Sequence, residues 1–142
     1  THFALWAIMG SPLIMGCDLR KASEETKKTL LNKDLIAINQ DLEARGAYVI
    51  KPLPDAYNEN EAFILVKPLA DGDLAIGIFN FSDTQRELSL EFWDMGIPYA
   101  AGVSLSLHDC ITGEELGEFT ERFAPVVPSH GCVVVRARIV EK

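Results

Sequence analysis

Positive charge is scarce in this chain: Lys and Arg total 13 against 21 Asp and Glu, a formal net charge of -8. No stripe of basic residues with interleaved aromatics occurs, which argues against nucleic acid and against an anionic membrane surface as partners. Cysteine is equally sparse. Cys17, Cys110 and Cys132 show neither a C-x-x-C nor a metal-type spacing. Their odd number leaves at least one thiol free, which favours a reducing, cytoplasmic setting; a single disulfide is the alternative. The histidines, His2, His108 and His130, lie far apart and lack H-x-x-x-H or H-E-x-x-H spacing, so neither a metal nor a cofactor is expected. Ser11 lies outside any G-x-S-x-G elbow, and no glycine-rich phosphate loop follows a strand.

The chain also lacks a long apolar run. Its opening, "FALWAIMGSPLIMGCDLR", is uncharged up to Asp18 but is interrupted by Gly10-Ser11-Pro12. A membrane helix needs about 18 uninterrupted apolar residues, and a secretion signal needs a basic segment ahead of its apolar part. A lipoprotein box at Cys17 would want a small residue where bulky Met15 stands. Buried structure on both sides of a turn remains. Thr1 in first position implies a true start further upstream.

What the chain does have is the composition of a globular domain. With 48% hydrophobic and 24% charged residues over 142 positions, a core can form without disulfide staples. Two regimes are visible. In residues 1–46 the pattern predicts a helix over Phe3–Met9, stopped by Gly10-Ser11-Pro12. The apolar run Leu13–Cys17 follows, read as a strand buried on both faces. A second helical stretch opens at Ser23, a good N-cap with Glu24 and Glu25 in its first turn. It runs to about Leu31, with Leu30, Asp34 and Ile38 continuing the pattern after Asn32, and ends before Gly46. Helix, buried strand and helix in succession read as part of an α/β unit.

Residues 47–142 are strand-rich. Glu61–Leu69 and Leu74–Phe81 flank Asp71-Gly72, a hairpin signal. Leu88, Leu90 and Phe92 alternate within Glu87–Phe92. Val103, Leu105 and Leu107 alternate with Ser104, Ser106 and His108. Val133, Val135, Ala137 and Ile139 alternate with Val134, Arg136 and Arg138, one face core and the other largely wet. With Ala47–Lys51 and Gly117–Phe123 this makes about seven strands, the pattern of an antiparallel, Greek-key-like β-sandwich. The fold class is therefore mainly β with an N-terminal α/β part.

Local chemistry is thin. The acidic pairs Glu24-Glu25 and Glu114-Glu115 read as solvated charge at a helix start and a turn. His130 sits in a turn before the last strand. Asp18 follows an apolar strand and precedes a helix, the end of a strand that faces the active site in a β/α barrel. The plainer reading is a loop hydrogen bond with Arg20. Trp93, Tyr48, Tyr57 and Tyr99 are the aromatics available to stack on a sugar if this is a binding module.

Against this background "HFALWAIMGSPLIMGCDLR" and "SEETKKTLLNKDLIAINQD" resemble the melibiase-type α-galactosidases of glycoside hydrolase family 27. "VKPLADGDLAIGIFN" and "VPSHGCVVVRARI" are similar to that family's C-terminal β-domain. The resemblance implies a catalytic β/α barrel followed by an antiparallel sandwich. Phe3–Met9 would then end the seventh barrel helix, Leu13–Cys17 form the eighth strand, and Ser23–Gln40 the eighth helical region. It implies a retaining mechanism with two aspartates, both upstream, so no catalytic residue falls in this segment. Cys17, Asp18 and Arg20 would sit at the barrel mouth, and galactosides would bind through the missing barrel. Alone the segment should be inactive. A neighbouring glycoside specificity, or a non-catalytic carbohydrate- or protein-binding sandwich, are the alternatives. Two positions depart from the family pattern: Cys17 replaces Asn, and Leu42 replaces the Pro after Asp41, which should leave the link into the sandwich less fixed. Cut loose from a barrel, Phe3–Met15 exposes apolar surface, and is expected to pack onto the sandwich or against a second copy as a homodimer.

Overall fold

A computed structural model describes residues 1–52 and 61–141. Three short helices, α1 (His2–Met9), α2 (Glu24–Leu30) and α3 (Lys33–Asn39), precede the strands. The strands are β1 (Tyr48–Pro52), β2 (Ala62–Pro68), β3 (Leu74–Asn80), β4 (Arg86–Glu87), β5 (Leu90–Glu91), β6 (Val103–Asp109), β7 (Glu115–Phe119), β8 (Arg122–Phe123), β9 (Val126–Val127) and β10 (Cys132–Glu141). Six form one antiparallel sheet in the order β1-β2-β3-β10-β6-β7, so the last strand returns to fill the gap between β3 and β6.

Side-chain alternation builds two cores on the two faces of this sheet. On one face Ile64, Val66, Ile76, Ile78, Leu105, Leu107, Val135 and Ala137 meet Leu88, Leu90, Phe92, Phe123 and Val127 from a second layer. That second layer is one extended pairing. Arg86 lies opposite Val127 and Leu90 opposite Phe123, and the amides of Leu88 and Phe92 donate to the carbonyls of Pro125 and Glu121. The register is constant throughout. Pro125 has no N–H to return, which divides the expected strand Glu87–Phe92 into β4 and β5.

The opposite face carries the helices. Ala4, Ala7 and Ile8 of α1 and Leu35 and Ile38 of α3 pack on Leu65, Leu69, Ala75, Phe79 and Val134. The face expected to be largely wet is thus dry where the helices lie over β2, β3 and β10. It stays polar further along, at Ser106, His108, Arg136 and Arg138.

Four further expectations need correction. Leu13–Cys17 is not a strand: it makes no ladder and is largely exposed, because no neighbouring strand offers it an edge among the described residues. The helical stretch from Ser23 is two helices rather than one. Asn32 caps α3 by accepting from the Leu35 amide at 3.0 Å while its Nδ2 donates to the Cys110 carbonyl at 2.8 Å, and a capping side chain of this kind stops α2. Gly117–Phe123 is not one strand. It leaves the large sheet at Phe119 and joins the second layer at Arg122, with the rings of Phe119 and Phe123 edge to face at 5.2 Å inside the core. The remaining difference is at the link after Asp41: in place of a proline, the Asp41 carboxylate accepts from the amides of Glu43 and Ala70, pinning the link to the β2–β3 turn. That turn is closed by Gly72, at φ 87, beyond the reach of most side chains.

Candidate functional site

Sequence expectations placed Cys17, Asp18 and Arg20 together, and the structure keeps them adjacent on an exposed loop. Arg20 grips Asp18 in a two-pronged pair, Nε to Oδ1 at 2.9 Å and Nη2 to Oδ2 at 3.0 Å, and its amide adds a third bond at 3.1 Å. These bonds hold the Asp18 carboxyl below its usual range. An ionised, paired carboxylate is an acceptor and orienting group; it has no proton to deliver as a general acid. Cys17 is an exposed free thiol.

This loop borders a groove of about 630 Å³. Phe3 and Trp6 of α1, Leu13 to Met15, Leu30 at the end of α2, Leu31 just beyond it and Ile36 of α3 line it; among the described residues no carboxylate does. Its walls are apolar and open to solvent. Ile14 is 85% exposed and Leu31 64%. The reason lies in α1, where every residue after His2 is apolar. Ala4, Ala7 and Ile8 face the sheet while Trp6 and Met9 face outward, without a polar face between them. A helix apolar on every side is built to be enclosed, and here it is enclosed on one side only.

The other candidates are scattered. Trp93 and Tyr99 are exposed near the second layer, where Glu91 lies 3.5 Å from the Tyr99 hydroxyl. Tyr48 is exposed on the edge strand β1, and Tyr57 lies outside the described residues. His130 takes φ 51 in its turn and pairs with Asp83 at 2.9 Å. The three histidines do not converge, and among the described residues no group of three His, Cys, Asp or Glu could hold a metal. No described helix is long and apolar enough to cross a membrane.

Sequence reasoning missed the polar groups that seat α3. Lys67, fully buried, donates its Nζ to the Ile38 carbonyl at the end of that helix. Burial pushes its pKa down, against the opposing pull of Asp41. His108 reaches Asp34 in the first turn of the same helix. Only the placement of Lys67 inside an otherwise apolar strand hinted at the first, and nothing local to His108 hinted at the second.

Two family models match successive parts of the chain. Residues 1–41 match the family described as "Alpha galactosidase A". Residues 59–137 match the "Alpha galactosidase C-terminal beta sandwich domain". A relative named "Probable alpha-galactosidase" in Dictyostelium discoideum is 35% identical over 138 residues, 95% of this chain and 34% of that protein. The crystal structure of alpha-galactosidase I from Mortierella vinacea superposes with a TM-score of 0.83 at 26% identity, covering 96% of this chain and 34% of that one. A β-L-arabinopyranosidase from Geobacillus stearothermophilus shares the fold, with a TM-score of 0.82 at 24% identity over 96% of this chain and 28% of its own. The chain therefore spans about a third of the length of these relatives. An apolar, half-enclosed helical segment seated on an antiparallel sandwich, matched along both parts, belongs to the melibiase-type alpha-galactosidases of glycoside hydrolase family 27.

Proposed function

We propose that this chain is the closing segment and β-sandwich of a retaining α-galactosidase, which removes terminal α-galactosyl residues from oligosaccharides. The observation that carries the reading is the groove: a wide apolar recess on the segment that matches the catalytic family, with no carboxylate among the described residues of its lining. Retaining glycosidases need two carboxyl groups about 5–5.5 Å apart, one as nucleophile and one as acid and base. Both belong to the preceding barrel in this reading, and so does the galactoside. Residues 1–46 then complete that barrel and residues 47–142 form the sandwich domain. Cys17, Asp18 and Arg20 come to the barrel mouth, where the Asp18–Arg20 pair fixes the loop after Leu13–Cys17. In the assembled protein Leu13–Cys17 gains the strand neighbours that it lacks here.

A fold shared with a β-L-arabinopyranosidase does not select the sugar. Specificity therefore rests with barrel loops that precede this segment. The reading is tested with an aryl α-galactoside. The chain alone is expected to release no aryl alcohol, while the protein that includes the preceding barrel turns it over. Activity in the chain alone, after removal of any longer enzyme, overturns it. So does an extended protein that hydrolyses no α-galactoside.

A further inference from the structure

The junction of the helices with the sandwich carries a histidine held between two carboxylates on different elements. His108, on β6, points to the helical face of the sheet and is partly buried. Its Nδ1 lies 2.8 Å from Glu115 Oε1 on β7, and its Nε2 lies 3.1 Å from Asp34 Oδ2 in the first turn of α3. Both carboxylate oxygens can only accept. A neutral imidazole has one N–H and one lone pair, so it satisfies one of these contacts and opposes the other. An imidazolium donates to both.

We infer that His108 is a pH-gated clasp, which in its doubly protonated form ties α3 to β7 and on losing a proton releases one of the two. The surrounding groups fit that role. Arg136 and Arg138 of β10 share the recess with His108, but both are engaged by Asp73, and Arg136 also by Asp71. Ser106 is uncharged, and Asp109, next along β6, binds the amides of Ile111 and Thr112 in the following turn. The positive charge of the ring is thus met by Asp34 and Glu115, whose hydrogen bonds raise its pKa against the effect of burial. A pKa raised in the folded state gives stability that is complete below the unfolded value of about 6.5 and is lost as pH rises through the folded value.

The rest of α3 shows what the clasp controls. Its C-terminal end is held by Lys67 at the Ile38 carbonyl, and the link beyond it by Asp41 at the Ala70 amide. Its N-terminal end is held by Asn32 at the Cys110 carbonyl and by His108 at Asp34, while the nearby Cys110 thiol, pushed up by burial and by Asp34, stays protonated and uncharged. The remaining N–H stays with Glu115, the shorter contact at 2.8 Å against 3.1 Å, so loss of the proton frees Asp34 and loosens the first turn of α3, next to the α2–α3 junction and the groove wall at Leu31 and Ile36.

The test is histidine-specific ¹⁵N NMR of the chain from about pH 5 to 8, with three histidines to resolve. His108 is assigned by loss of its signal in His108→Gln. The clasp predicts both ring nitrogens protonated at pH values where free histidine is mostly neutral, and a titration midpoint above the free-histidine value of about 6.5. Asp34→Asn is expected to bring the midpoint down. Amide exchange in residues 33–36, corrected for intrinsic rate, is expected to quicken as His108 deprotonates. A His108 ring that is neutral and fixed in one tautomer at or below the free-histidine value of about 6.5 overturns the inference, as does a midpoint unmoved by Asp34→Asn. Should the variants fail to fold, the spectrum of the unmodified chain decides alone, assigned by proximity to the β6 amides.

Discussion

Gly77 of β3 lies beneath α1, and adding one methyl group there measures how closely the helix sits on the sheet. A Cβ at this position would stand 2.6 Å from Phe79 Cε2 and 2.9 Å from Ile8 Cδ1. Comfortable carbon contacts begin at about 3.5 Å, so both neighbours must move by most of an ångström. Neither has room. Phe79 and Ile8 are fully buried, and Phe79 is stacked on Phe63 with ring centroids 5.4 Å apart. Overpacking of this kind costs about 1–3 kcal/mol, while replacing glycine by alanine returns about 0.4–1 kcal/mol from the unfolded chain. The net expectation for Gly77→Ala is a loss of about 1–2 kcal/mol, or roughly 3–7 °C in Tm. Ile8→Ala alone should cost about 2–5 kcal/mol. Because it removes one of the two obstructing groups, the double variant should lose about 0.5–1.5 kcal/mol less than the sum. Urea unfolding of the four proteins gives the cycle. A neutral Gly77→Ala, or strict additivity, would mean that α1 does not rest on β3 at this point.

Asn80 is fully buried, and its Nδ2 serves the carbonyls of Thr84, Val127 and Pro128 at 2.8, 3.2 and 3.0 Å. Asn80→Asp sets an oxygen against all three, and should cost about 3 kcal/mol or more at neutral pH. The deficit should shrink in acid as the new carboxyl takes up a proton; a denaturant midpoint that ignores pH would contradict this. Thiol reactivity offers a third check. Burial pushes the Cys110 thiol up to about 12, and burial raises Cys132 as well, while Cys17 is exposed. An aromatic disulfide reagent near neutral pH should label Cys17 at once and the other two only after denaturation; rapid labelling of all three would refute the packing around β10.

Period-two alternation made the large sheet legible, since Ile64 to Val66, Ile76 to Ile78 and Val133 to Ile139 write their two faces directly into the chain. Asp71-Gly72 announced its hairpin because a positive φ at Gly72 is a local requirement. The second layer was less legible because a missing N–H at Pro125 and a change of layer between Phe119 and Arg122 interrupt strands whose apolar pattern runs straight through. The break at Asn32 depended on a carbonyl at Cys110, far along the chain. Leu13–Cys17 reads as a strand because its apolar pattern suits enclosure on both faces, and that enclosure is a property of neighbours which the pattern cannot supply. Asp18 and Arg20 were close enough in sequence to pair on sight, whereas Asp34, His108 and Glu115 meet only once the sheet has formed.

The groove is the centre of this account, and Ile14 tests it most directly. The side chain is 85% exposed in the structure of this chain. In the chain alone Ile14→Asp should change stability by no more than about 0.5 kcal/mol. On the proposed function, in a protein that carries the preceding barrel, the same substitution places an unpaired charge in an enclosed apolar site and should cost about 3 kcal/mol or more, with loss of α-galactoside hydrolysis. Paired urea titrations of Ile14→Asp in both settings give the answer. A large penalty in the longer protein alone is the predicted result; an equally small effect in both would show that the groove stays open to water, and would contradict the assignment of this surface to the barrel.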